Sequence, residues 1–180
     1  MRGIIDKLVP TVLPDITFSD RMTVRLGGKV VELIYAGLSH SDDSVIMHFP
    51  EERAVYAVDF VLAKALPYKD LPLSAYFYPE WLDSLHRLEK MDFDILIPGH
   101  DSVGTHKDVR DFRHYLEDLE SAVIDGIKAG LSIEELQNSI ALDEYRDWDL
   151  FDDWRALNIE GMYRQLMRKS NQHQDTGSIP

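Results

Sequence analysis

Seven histidines and no cysteine set the chemistry open to this 180-residue chain. Without thiolates there is no disulfide, no cysteine nucleophile and no cysteine-based zinc motif, so a metal must be held by His, Asp or Glu. Two histidines stand apart by placement. His100 lies in "ILIPGHDS" (95–102), where a short apolar run stops on a Pro98-Gly99 turn, and His40 lies in "YAGLSHSDDS" (35–44), behind another apolar run. Loops at strand ends are where α/β folds present reacting groups. Asp59 shares this placement in "VYAVDF" (55–60), and its plainer alternative role is a cap for the segment that follows. His40, Asp59 and His100 are therefore the candidates for one shared site, with metal-binding or acid–base chemistry.

The other histidines carry weaker signals. His48 sits inside a strand pattern, one residue off its apolar face, which favours a structural role. His86 and His114 fall on helices as surface residues, His106 stands beside a helix start as solvated surface, and His173 lies near the end. Ser39-His40-Ser41 suggests a serine hydrolase, but Gly37-Leu38-Ser39-His40-Ser41 lacks the second glycine of a nucleophile elbow. Neighbouring Ser and His on an extended chain also point to opposite sides.

The elements that must position these residues are legible as a strand-rich first part and a helix-rich second. "VLPDITF" (12–18), "RMTVRLGG" (21–28), "KVVELIYA" (29–36), "DSVIMHFP" (43–50) and "RAVYAVDF" (53–60) read as a meander of five strands, with Gly27-Gly28 as a hairpin turn. Residues 61–78, with three prolines, read as an irregular loop. Pro79 opens a helix over 79–91, "FDILIP" (93–98) reads as a buried strand, and an apolar stripe from Val109 to Ile127 predicts a long helix over 107–129. Ser132 and Glu135 form a capping box for a short helix over 133–140. An acidic, aromatic segment follows (142–154), which packs the terminal helix or walls a pocket, and then a last helix over 157–169. This gives one α/β (α+β) domain over 1–169 and a frayed polar tail over 170–180.

A net charge of −13, with no basic block, argues against nucleic-acid and anionic-membrane partners. No apolar run approaches the roughly 20 residues of a membrane span, and no signal-peptide core is seen, so the default compartment is the cytoplasm.

In the order and spacing of "GLSHSDDS", "AVDF" and "IPGH", and in the terminal "LNIEGMYRQL", the chain resembles the metallo-β-lactamase superfamily over roughly residues 11–169. The resemblance implies that His40 is a metal histidine, Asp59 the aspartate that bridges two metals and also the catalytic carboxylate, and His100 the last histidine, on the second metal. Zinc is the implied metal, with iron or manganese as alternatives. The implied reaction is attack of metal-bound hydroxide on an ester, lactone, thioester, amide or phosphoester. The family's H-x-H-x-D-H motif is missing, since no histidine precedes His40. The chain thus resembles the C-terminal half of an αββα sandwich: one mixed sheet covered by helices on one side, with a remnant site expected to be weak or inactive alone. The bare face implies a homodimer or a separate polypeptide carrying the N-terminal half. The alternatives are a non-catalytic dimeric binding or structural module, or a piece of a longer enzyme.

Overall fold

The computed structural model describes residues 12–69, 71 and 78–175. Five strands form one sheet in the order β1 (Arg21–Leu26), β2 (Lys29–Tyr35), β3 (Val45–Phe49), β4 (Ala54–Tyr56) and β5 (Ile95–Ile97). The first four pair antiparallel, and β4 pairs parallel with β5. A parallel pair needs a long crossover, and helix α1 (Tyr78–Glu89) lies within it. The remaining helices are α2 (His106–Lys128), α3 (Ile133–Ser139) and α4 (Phe151–Asp175).

The β1–β2 turn uses Gly27 and Gly28 at φ 59° and 81°, a left-handed region that costs glycine nothing. The turn between β3 and β4 is fixed from outside. The Arg53 guanidinium donates to Asp94 at 2.6 Å and to Asp92 at 2.7 Å, just ahead of β5. These hydrogen bonds hold both carboxyls below the usual carboxylate range.

Among the described residues, the helices cover one sheet face only. Ile34, Ile46, Val55 and Leu96 from that face join Trp81, Phe112 and their neighbours in a single core. Trp81, 1% exposed, also donates its indole N–H to the Phe60 carbonyl at 2.7 Å, tying α1 to the chain that leaves β4. On the opposite face one cross-strand row reads Met22, Leu33, Met47, Tyr56 and Ile97. None of the five belongs to the helix-side core. Val24 and Leu26, on the same face, are 41% and 80% exposed. The expected architecture, one mixed sheet covered on one side, is therefore present.

Several expected elements differ. Residues 12–18 are not a strand: Val12 is 89% exposed and the segment lies in no sheet pairing. "FDILIP" gives only a three-residue strand, with Ile95 43% exposed on the bare face. The described part of 61–78 is irregular as expected, but Val61, Leu62, Ala65 and Leu66 are buried. Residues 70 and 72–77 lie outside the described residues. The last helix starts at Phe151 rather than 157, with Asp152 and Asp153 in its first turn where the helix dipole favours negative charge. It continues to Asp175, through part of the expected tail; residues 176–180 lie outside the described residues.

Candidate functional site

His40, Asp59 and His100 line one cavity of about 430 Å³, together with Leu62, Tyr68, Asp101, Leu150 and Trp154. Each arrives at the end of a strand. After β4, the Ala57 N–H donates to the Ile97 carbonyl at 2.9 Å, and Val58–Phe60 then close into a short 3₁₀ turn. Val58 has φ 30°, a sparsely populated conformation for a β-branched residue, and it directly precedes Asp59. The turn is braced across the sheet end, where the Gly99 N–H donates to the Val58 carbonyl at 2.9 Å. His40 lies in the 37–44 loop, which opens on Gly37 at φ 87° and closes at its base through Ala36 N–H to the Ser44 carbonyl, 2.9 Å.

Asp59 is no helix cap: it lies within the Val58–Phe60 turn rather than ahead of it, and its Oδ1 is a buried atom with no hydrogen-bond partner. His100 Nε2 stands 3.6 Å away, beyond hydrogen-bond range but within ion-pair range, and its side chain is 74% exposed. Gly99 leaves the space this carboxylate occupies, because a Cβ there would fall 2.1 Å from Asp59 Oδ1. His40 meets Tyr68 edge to face at 6.3 Å, and Tyr68 meets Trp154 in the same way at 5.6 Å.

The donors test poorly as a complete metal site. A catalytic zinc takes three protein ligands and a structural one four. Among the described residues no group of three or more His, Cys, Asp or Glu lies close enough to hold a metal ion. The orphaned Asp59 oxygen and His100 Nε2 supply two candidate ligand atoms. His40 shares the cavity without closing the set.

Two residues that the sequence did not mark, Tyr68 and Asn158, shape the cavity, and so does Trp154, for whose segment a pocket wall was one of the two expected roles. Trp154 comes from the acidic, aromatic segment, of which Tyr145 and Trp148 pack against Tyr115 instead. Tyr68 projects from the 61–71 loop. Asn158, fully buried in α4, donates from Nδ2 to the carbonyls of Pro67 and Lys69 at 3.2 and 3.1 Å, and its Oδ1 accepts from Tyr115 Oη at 2.7 Å. Two carbonyls on one side and a hydroxyl on the other fix the amide's orientation. Burial pushes the Tyr115 phenol well above its usual range, which keeps it a donor.

The other described histidines are structural or exposed. His48 bridges the Glu32 carboxylate at 3.1 Å and the Asp92 carbonyl at 3.2 Å, as its strand position suggested. His106 is not solvated surface: it stacks on Phe93 at 5.0 Å and reaches the Glu89 carbonyl. His86 and His114 are exposed. Ser39 is buried and does not line the cavity, so the serine-hydrolase reading has no geometry here.

This sheet and its helices have the metallo-β-lactamase fold, as the resemblance in sequence implied. The structure superimposes on a metallo-beta-lactamase family protein from Thermus thermophilus with a TM-score of 0.59 at 21% identity, covering 88% of this chain and 50% of that one. A stereoselective inverting sec-alkylsulfatase from Pseudomonas sp. matches with a TM-score of 0.66 at 15% identity, over 85% of this chain and 26% of that one. In sequence, the chain is 24% identical over 148 residues to the 2,4-dinitroanisole O-demethylase subunit alpha of Nocardioides sp. (strain JS1661), covering 78% of this chain and 44% of that protein. No protein-family model matches the chain. The chain spans half or less of the length of each of these relatives.

Proposed function

We propose that this chain contributes Asp59, His100 and His40 to the active site of a metallo-β-lactamase-fold hydrolase whose remaining ligands come from residues outside these 180. The observation that carries this reading is the buried, unpartnered Asp59 oxygen facing His100 Nε2 at 3.6 Å in a cavity that also holds His40. A carboxylate oxygen is costly to bury without a partner, and here it follows a Val58 at φ 30° and fills the space that Gly99 leaves. Active sites are where such costs persist. The bonds in question are of the ester, lactone, thioester, amide or phosphoester type. The sec-alkylsulfatase and O-demethylase named among the relatives support cleavage at an oxygen-linked centre. Zinc, iron or manganese is the metal class that two oxygen and nitrogen donors would help to hold.

Metal titration of the chain tests this directly. The isolated chain is expected to bind zinc weakly, with affinity falling at least tenfold in His100→Ala, and to hydrolyse 4-nitrophenyl acetate no faster than buffer. Zinc binding that is indifferent to His100→Ala and Asp59→Ala sinks the proposal.

The bare sheet face supports a second reading, a dimeric module without catalysis. Its central row of Met22, Leu33, Met47, Tyr56 and Ile97 carries no charge, and a two-fold pairing of this face with itself would remove it from water. On this reading light scattering gives a mass near twice 20.7 kDa. Met47→Asp, with charge at the middle of the row, returns the chain to monomer. A monomer at micromolar concentration counts against self-pairing and leaves a separate polypeptide as the cover.

A further inference from the structure

We propose that Arg87 of α1 is a positioning residue for His40: its guanidinium fixes the base of the 37–44 loop, and so the direction in which the loop carries the imidazole. This rests on the functional reading only in giving His40 a part in the site.

The loop leaves β2 through Ala36, which is fully buried, and Gly37. The Ala36 N–H is taken by the Ser44 carbonyl, while the Ala36 carbonyl turns to α1 and accepts from Arg87 Nη2 and the Ser84 hydroxyl. Backbone sterics do little to set the direction from here, because Gly37 at φ 87° is free of the restraint a Cβ imposes. A Cβ at Gly37 would fall 2.8 Å from Arg87 Nη2 and 3.0 Å from Ser84 Oγ, so the loop passes directly against the two donors.

Of the two donors, Arg87 decides. The Ser84 hydroxyl has one hydrogen and two carbonyls within reach, Ala36 and, at 2.8 Å, Glu80 one turn back on its own helix. Arg87 Nη2 also donates to Ser84 Oγ at 3.2 Å, which ties both donors into one clamp. Without the guanidinium, Ser84 can satisfy itself on Glu80 and the Ala36 carbonyl loses its fixed partner. A buried carbonyl in that state is costly, and the loop base moves to relieve it. The arginine is also committed to this contact. Asp83, four residues earlier on α1, is spaced for a helical ion pair, yet among the described residues Arg87 forms none and reaches for the loop. Beyond His40 the loop is held separately, by Tyr35 Oη on the Asp42 carbonyl at 3.1 Å and Ser41 Oγ on Asp43 at 2.7 Å. Loss of Arg87 therefore frees the stretch from Gly37 to His40 and spares the rest.

The ring contact between His40 and Tyr68 at 6.3 Å reports where the imidazole stands. The contact between Tyr68 and Trp154 at 5.6 Å is an internal reference, since neither residue lies on the loop. The test is NMR on the EDTA-treated chain carrying Arg87→Met, which removes the donors from an exposed residue and leaves the core untouched. The His40–Tyr68 cross-peaks should be lost and the His40 ring protons should shift, while the Tyr68–Trp154 cross-peaks stay. Arg87→Lys, which returns one donor at shorter reach, should restore part of the His40 contact. Arg113→Met removes an arginine bound to Glu89 and Glu117 instead of the loop, and should keep both contacts whatever it does to stability. A His40–Tyr68 contact left intact in Arg87→Met overturns the proposal. Joint loss of both contacts in that variant overturns it too, because the guanidinium would then support the fold at large. No metal enters this measurement, so the zinc titration and the Arg87 result can each fail alone.

Discussion

Asn158→Leu is expected to lower the unfolding free energy by about 3 kcal/mol and to loosen Tyr68 in the same step. Leucine is close to asparagine in size, so the change leaves little cavity and the cost comes from polar groups. The Pro67 and Lys69 carbonyls lose their donor and the Tyr115 hydroxyl loses its acceptor. Each buried group left unpaired costs about 1–3 kcal/mol, less where water can reach it. Asn158 and Tyr115 are fully buried. Tyr115→Phe removes one partner only and should cost about 1 kcal/mol, the penalty for a lone unpaired Asn158 oxygen. The double variant then separates the two halves of the network. If the hydroxyl is what Asn158→Leu orphans, adding Tyr115→Phe should recover part of the loss, giving a coupling of about 1 kcal/mol in chemical denaturation. Tyr68 supplies a second readout. In Asn158→Leu its ring should show averaged NMR signals and its edge contact with His40 should vanish. A cavity of similar cost far from the loop, as in Leu136→Ala, should leave both in place. Equal stability of Asn158→Leu and the unmodified chain would mean that the loop is held by its apolar residues alone.

Much of the fold was legible because its signals are local and periodic. The β1–β2 hairpin followed from two glycines whose observed φ values only glycine adopts freely, and α2 followed from an apolar stripe that runs from Val109 to Ile127. The capping box of Ser132 and Glu135 forms as read, with Ser132 Oγ accepting from the Glu135 N–H. Residues 12–18 misled for a physical reason. Their β-branched composition fits a strand, but composition does not supply a neighbour, and β1 pairs only with β2. The start of α4 was hidden for the opposite reason. Asp152, Asp153 and Trp154 break the apolar period, yet the two acids suit a helix N-terminus and the tryptophan faces the cavity. Of the site, the three strand-end residues could be read because a charged or imidazole side chain behind an apolar run is conspicuous. Tyr68 and Asn158 could not. An aromatic in a proline-rich loop and a lone asparagine in a helix carry no signal until the chain folds them together.

Gly99→Ala is expected to disable the Asp59–His100 pair while costing the fold only about 1 kcal/mol, the low end of what an added methyl costs in a packed site. Its Cβ would fall 2.1 Å from Asp59 Oδ1 and 3.3 Å from the Val58 carbonyl carbon. The first contact cannot be tolerated, and a side chain yields before backbone does. The Asp59 carboxylate must therefore rotate away, since Val58 is already held at φ 30° by the Gly99 N–H bond to its carbonyl. Zinc affinity should drop at least tenfold, as far as in Asp59→Ala. A cycle distinguishes this route from general damage to the loop. In an Asp59→Ala background the obstructing oxygen is gone, so Gly99→Ala should then leave zinc affinity unchanged. Additive losses in the double variant would show that Gly99 acts through His100 or the backbone rather than through Asp59. The glycine beside His100 is thus predicted to matter for the space it leaves to a carboxylate 40 residues earlier in the chain, and this is why "IPGH" and "AVDF" have to be read as one feature.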